Sequence, residues 1–184
     1  MKPESTSKDT ILQISRRLVA KNGLAALNMR TLAEECGIAL GTLYHYYTNK
    51  DELLLAVIES IWKDIFYDGA LSDAPGFIGY VADFFERAKK GTTDYPGFLS
   101  AHSAVIADTQ KKQARSTMKD IFEHMRCCLL ASLQADSNVR QSSFSCTFSR
   151  EDFIEFTFDH LLLLLAKGEK DCGTLTEIIQ RIIY

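Results

Sequence analysis

Residues 27–54, LNMRTLAEECGIALGTLYHYYTNKDELL, constrain this chain more than any other stretch. Asn28 precedes a short helical pattern, and its side-chain oxygen suits the free amides of a first turn. Leu32 and Ala33 form a small inward face before Cys36-Gly37 stops the pattern. Ile38 turns inward again, and Leu43 and Tyr47 then share one side of a second short helix. Two short helices joined by a glycine-containing turn make a helix-turn-helix, whose second helix enters the major groove of DNA. The outward residues of that helix are Thr42, Tyr44, His45 and Tyr46, with Lys50 just beyond. Hydroxyls, an imidazole and an amine suit phosphate oxygens and base edges.

At these residues the chain resembles the tetracycline-repressor (TetR) family of bacterial transcription regulators. The resemblance is carried by Leu32-Ala33, Gly37-Ile38, Gly41-Thr42-Leu43-Tyr44-His45-Tyr46-Tyr47 and Lys50-Asp51-Glu52-Leu53, all in register. It covers about the first third of the chain. Ala39 stands where the family usually has a Ser or Thr cap, Leu40 where it has a polar residue, and Val19 where Phe is common in the first helix.

Arg30 opens the first of the two helices, where a guanidinium can reach a guanine edge or pair with Glu34 four residues on. Its match to the family position favours DNA. Thr31 is a weaker phosphate candidate. Gly41 lets backbone approach DNA closely, and Leu40 either touches a thymine methyl or packs on the turn. The expected DNA-contact set is therefore Arg30, Thr31, Leu40, Gly41, Thr42, Tyr44, His45, Tyr46 and Lys50.

Net charge is −3, which taken alone disfavours a nucleic-acid binder, but the distribution is uneven. The first fifty residues hold seven Lys and Arg against four Asp and Glu, leaving the acidic excess to the remainder. Phosphate attraction acts at the contacting surface, so a basic head on an acidic body suits DNA.

The rest of the chain reads as helical. Ser7 caps a helix from Lys8 to about Lys21, ended by Asn22-Gly23. Thr48 or Asn49 caps a long helix to about Tyr67, and Asp68–Gly76 reads as a turn. Further helices are expected at Phe77–Lys90, ended by the GTTDYPG stretch, then at Phe98–Asp108 and Lys111–Gln134. A Ser-rich loop spans 135–149. Ser149 and Asp152 open a helix through Lys167, apolar nearly all round, and a last helix starts at Thr174.

The fold class is thus all-α with about nine helices. A three-helix helix-turn-helix DNA-binding domain, residues 1–49, is followed by a larger helical domain, residues 50–184. The family resemblance implies that this second domain binds an effector and dimerises through helices 150–167 and 174–184. It also implies an apolar ligand pocket, for which Trp62, Phe66, Phe84, His102, Phe122 and Met125 are candidates. The implied function is a repressor released from a palindromic operator by a small-molecule inducer.

Other chemistry finds little support. The four histidines show no metal-ligand spacing, and no nucleophile elbow, phosphate loop or dinucleotide fingerprint occurs. No catalytic residue, metal or cofactor is expected. Five cysteines without a Cys-x-x-Cys motif read as free thiols, mostly buried structural ones, with a redox sensor at Cys127-Cys128 or Cys146 the lesser reading. No signal peptide or membrane span is visible, so a cytoplasmic protein is expected. A helical carrier or enzyme, and an interaction protein with a purely structural helix-turn-helix, stay open as alternatives.

Overall fold

The computed structural model describes residues 6–67, 76–99 and 112–184. These contain eight α-helices and no strand: α1 (Lys8–Asn22), α2 (Met29–Glu35), α3 (Leu40–Tyr46), α4 (Lys50–Tyr67), α5 (Gly76–Asp94), α6 (Lys112–Ala135), α7 (Arg150–Lys167) and α8 (Gly173–Ile183). The Asp68–Gly76 turn (but for Gly76), the helix expected at Phe98–Asp108 (beyond Leu99) and His102 lie outside the described residues. Among the described residues no helix is long and apolar enough to cross a membrane.

Contacts divide the chain into two compact units. One comprises Met1–Ile65 and Gly91–Met118, the other Phe66–Lys90 and Lys119–Tyr184.

The first unit is built by caps that its sequence specifies. Ser7 Oγ accepts the Thr10 amide at 3.1 Å, and Asn28 Oδ1 accepts the Thr31 amide at 2.9 Å. Asn49 Oδ1 accepts the Glu52 amide at 2.9 Å, while the Glu52 carboxylate takes the amide and hydroxyl of Thr48. These bonds occupy amides that a helix start otherwise leaves orphaned. The Thr48 hydroxyl and amide hold the Glu52 carboxyl below its ordinary pKa. Over this frame Ile11, Val19, Leu24, Leu27, Leu32, Leu43, Tyr47, Leu53 and Val57 close into a core.

One helix end departs from expectation. The glycine of the GTTDYPG stretch does not stop α5, which runs on to Asp94. A Cβ at Gly91 would stand 2.2 Å from Ile65 Cδ1 and 2.7 Å from its Cγ1. Glycine here removes a side chain so that helical backbone can lie against Ile65, and the break comes at Tyr95-Pro96-Gly97 instead.

In the second unit, α7 opens with the expected capping box. Ser149 Oγ accepts the Asp152 amide, and Asp152 Oδ2 accepts the Ser149 amide, each at 3.0 Å. The Ser-rich connection before it carries a 3₁₀ turn and a small Ser145–Phe148 bridge. Arg140 and Ser143 from this connection donate to the Ile182 carbonyl, satisfying the end of α8. Phe77, Val81, Phe85, Leu129, Phe153, Phe158, Leu161, Leu175, Ile179 and Ile183 form the core.

Candidate nucleic-acid interface and ligand site

The turn between α2 and α3 is set by backbone chemistry. Gly37, with φ +65°, donates its amide to the Glu34 carbonyl at 3.0 Å, and Ile38 donates to Ala33 at 3.0 Å. This paired closure ends a helix in a left-handed residue, which favours glycine. It reverses the chain within four residues, so α3 starts at Leu40. Ala39 caps α3 with no side-chain bond, as its departure from the family pattern implies.

Burial then sorts the faces of α3. Leu43 and Tyr47 are buried, at 0% and 3% exposure, whereas Gly41, Thr42, Tyr44 and His45 are exposed. Tyr44 retains 46% of its surface. Arg30, Thr31 and Lys50 are likewise exposed, and Leu40 is half-buried. Seven of the nine expected contact residues therefore present an open side chain or backbone on this unit.

Tyr46 differs. It is half-buried, and its hydroxyl donates to the Thr6 carbonyl, tying the segment before α1 to the recognition helix. The proton of that phenol is committed to a main-chain acceptor, while its oxygen keeps the capacity to accept. Tyr47 is the opposite case: its hydroxyl is buried without a hydrogen-bond partner, and Lys8 lies 5.7 Å from its ring centroid. Burial, with Glu52, Asp9 and Glu59 adding negative potential, pushes the Tyr47 hydroxyl up to about 12.

Arg16 of α1 turns to α4. It donates to Ser60 Oγ and pairs with Asp64 at 3.3 Å, and the Tyr95 hydroxyl donates to the other Asp64 oxygen at 2.5 Å. Burial, reinforced by that carboxylate, raises the Tyr95 hydroxyl well above its ordinary value. No single-helix periodicity could have indicated this link, because its members come from three separate segments.

The ligand candidates separate. Trp62 is 1% exposed in the first unit, its ring 4.9 Å from Phe98. In the second unit Phe66 stacks on Phe84 at 4.5 Å, Phe84 meets Phe158 at 6.1 Å, and Phe122 meets Phe158 at 5.2 Å. Met125 is buried on the same helix as Phe122. Sequence reading missed the two residues that complete this cluster, Phe158 at its centre and Arg126, whose guanidinium carbon lies 5.0 Å from the Phe158 ring centroid. Only a polar residue amid an aromatic set could have signalled Arg126.

A separate cavity of about 580 Å³ lies in the same unit, lined by Gly76, Tyr80, Ser132, Asp136, Gln180 and Tyr184 among others. Its carboxylate is already engaged: Asp136 accepts from the Phe77 amide at 2.9 Å, the Asn138 amide at 3.0 Å and the Tyr184 hydroxyl. Burial works against the Asp136 charge, but these donors outweigh it and hold the carboxyl below its ordinary pKa. Asp136 thus ties the start of α5 and Tyr184 together at the cavity wall.

The thiols are free, but only Cys172 is buried; Cys127 and Cys146 are exposed. The reading of mostly buried cysteines fails because Cys127 lies on the outer side of α6 and Cys146 in the Ser145–Phe148 turn. Burial pushes the half-buried Cys128 thiol up, which keeps it protonated and poorly nucleophilic.

Two short helices around a left-handed glycine, with one buried and one exposed face on the second, define a helix-turn-helix protein. Residues 11–57 match the family model described as bacterial regulatory proteins, tetR family. Residues 11–57 thus carry a TetR-type DNA-binding segment. It is 28% identical over 120 residues to an HTH-type transcriptional regulator of Haemophilus influenzae, an alignment covering 65% of this chain and 62% of that protein. It is 30% identical over 138 residues to the HTH-type transcriptional repressor KstR2 of Mycolicibacterium smegmatis, covering 65% and 64%. The chain thus spans less than two thirds of the length of either relative. A tetR-family transcriptional regulator from Streptomyces coelicolor shares the fold, with TM-score 0.62 at 12% identity over 96% of this chain and 80% of that one.

Proposed function

We propose that the chain is a cytoplasmic, ligand-responsive transcriptional regulator that binds a palindromic operator as a homodimer and represses until an effector releases it. The observation that carries this reading is the exposed face of α3, with Thr42, Tyr44 and His45 open over a buried Leu43 and Tyr47. In this reading Thr42, Tyr44 and His45 meet base edges and phosphates in the major groove. Arg30, Thr31 and Lys50 flank them on the backbone, and the Gly41 main chain and Leu40 approach closely. Tyr46 positions the preceding segment. Residues 1–49 serve as the DNA-reading head and residues 50–184 as the effector and dimerisation body.

Two further features support dimerisation and ligand response. Phe156 and Leu163 on α7 and Ile178 and Ile182 on α8 are large apolar residues left exposed, at 53%, 46%, 38% and 39%. Their helical spacing makes a stripe on each helix that a second copy can cover, and a two-fold dimer gives two heads for paired half-sites. The aromatic cluster of Phe66, Phe84, Phe122 and Phe158 gives an apolar effector a site. Because α4 begins at Lys50 and runs to Tyr67, it contains both a phosphate contact and Phe66. An effector that prefers one position of α4 shifts the population of head spacings.

A salt titration of binding to DNA upstream of the gene, against scrambled DNA, tests the reading. Two protomers per site, sequence preference and a steep fall with salt are expected. Tyr44→Ala should weaken operator binding by about tenfold, the loss of one good contact. Equal, feeble binding to both DNAs, and to fragments selected from the whole genome, would overturn it.

A further inference from the structure

Arg126 stands out among the arginines of the second unit. Arg87 pairs with Asp83 at 2.8 Å, Arg181 with Glu177 at 2.7 Å, Arg140 donates to the end of α8, and Arg150 donates to Gln141. Among the described residues Arg126 has a single ion pair at 3.9 Å, to Glu123 one turn back on the same helix. Glu123 is largely exposed, so water screens that pair and leaves it weak. The Arg126 Nε is buried and has no hydrogen-bond partner among the described residues, while the side chain as a whole keeps 28% of its surface. One edge of a permanently charged group is therefore enclosed beside the Phe158 ring without an acceptor.

Such a group is costly unless something accepts from it, and the aromatic face satisfies only its charge. A planar carboxylate fits the fork of Nε and Nη through two parallel bonds. The surroundings are apolar: Phe122 and Met125 precede Arg126 on α6, and Phe84 and Phe66 extend the aromatic row from Phe158. We propose that the effector is an amphiphilic carboxylate whose anionic end is read by Arg126 while its apolar body lies along the Phe66–Phe84–Phe158–Phe122 cluster. The proposal rests on the ligand-responsive reading above and assigns that site its ligand class.

Calorimetric titration of the full-length protein with decanoate and with decanol, equal in chain length and differing in charge, tests it. Wild type should bind decanoate roughly tenfold tighter than decanol, the worth of a charge-assisted pair. Arg126→Gln should erase that preference and leave decanol affinity unchanged, and Arg126→Lys should restore part of it. Melting curves identify a variant that has merely lost its fold. Equal binding of both probes to wild type would overturn the carboxylate assignment and leave an apolar effector site standing. A parallel loss of both probes in a folded Arg126→Gln protein would also overturn it, making Arg126 a packing residue. Absence of binding by either probe would overturn it as well. Release of operator DNA by neutral apolar compounds then decides separately whether the chain responds to ligands.

Discussion

The DNA-reading segment and the aromatic cluster place function on opposite kinds of surface. On α3 the proposed working side chains are exposed and the structural ones buried, so the two roles belong to different residues. Thr42, Tyr44 and His45 face out, and Leu43 and Tyr47 face in. In the cluster the same residues serve both purposes: Phe84 and Phe158 are core, at 4% and 0% exposure, and are also the proposed ligand floor. Head substitutions should therefore change binding with little change in stability, whereas cluster substitutions should change both.

Phe158→Ala tests the cluster side most severely. Removing a fully buried ring that meets Phe84, Phe122 and the Arg126 guanidinium should cost about 3–5 kcal/mol in denaturant unfolding. A loss below about 1 kcal/mol would mean that the site holds a cavity for ligand and is not core.

Asp136→Asn should be next. It removes a charge that accepts from Phe77, Asn138 and Tyr184, at about 1.5–3 kcal/mol for bonds to a charged group. The Asp136 carboxyl is held below its unfolded value, so its stabilisation is full above about pH 4 and drains as pH falls through the native value. Wild type should lose stability in that acid range more steeply than the Asn variant, as followed by circular dichroism at a series of pH values. Parallel pH curves would show that the charge is irrelevant to the joint.

Asn28→Ala returns to the head and should cost about 1 kcal/mol through loss of the α2 cap, read as a lowered melting temperature. Smallest of all should be the stability effect of Tyr44→Ala, within about 0.5 kcal/mol for an exposed helical position, despite its effect on operator binding. A large loss of stability there would erase the separation of roles on α3.

Most of the head was legible from sequence because its determinants act over three or four residues. Asn28 to Thr31, Ser7 to Thr10 and the closure at Gly37 are local bonds whose chemistry is written in adjacent letters. Leu43 and Tyr47 followed from helical spacing alone. Tyr46 shows what local spacing omits: its hydroxyl bonds to the carbonyl of Thr6, forty positions earlier in the chain.

The chain alone thus determined the helices, their caps, the left-handed turn and the inward stripe, all consequences of short-range backbone bonding and periodicity. Tertiary structure decided which aromatic residues meet, sending Trp62 to Phe98 and Phe122 to Phe158. It also joined Arg16 to Asp64, carried α5 past Gly91, and left the Nε of Arg126 enclosed without an acceptor among the described residues. Those outcomes depend on which elements pack together, and periodicity within one helix says which face is apolar without saying what will cover it.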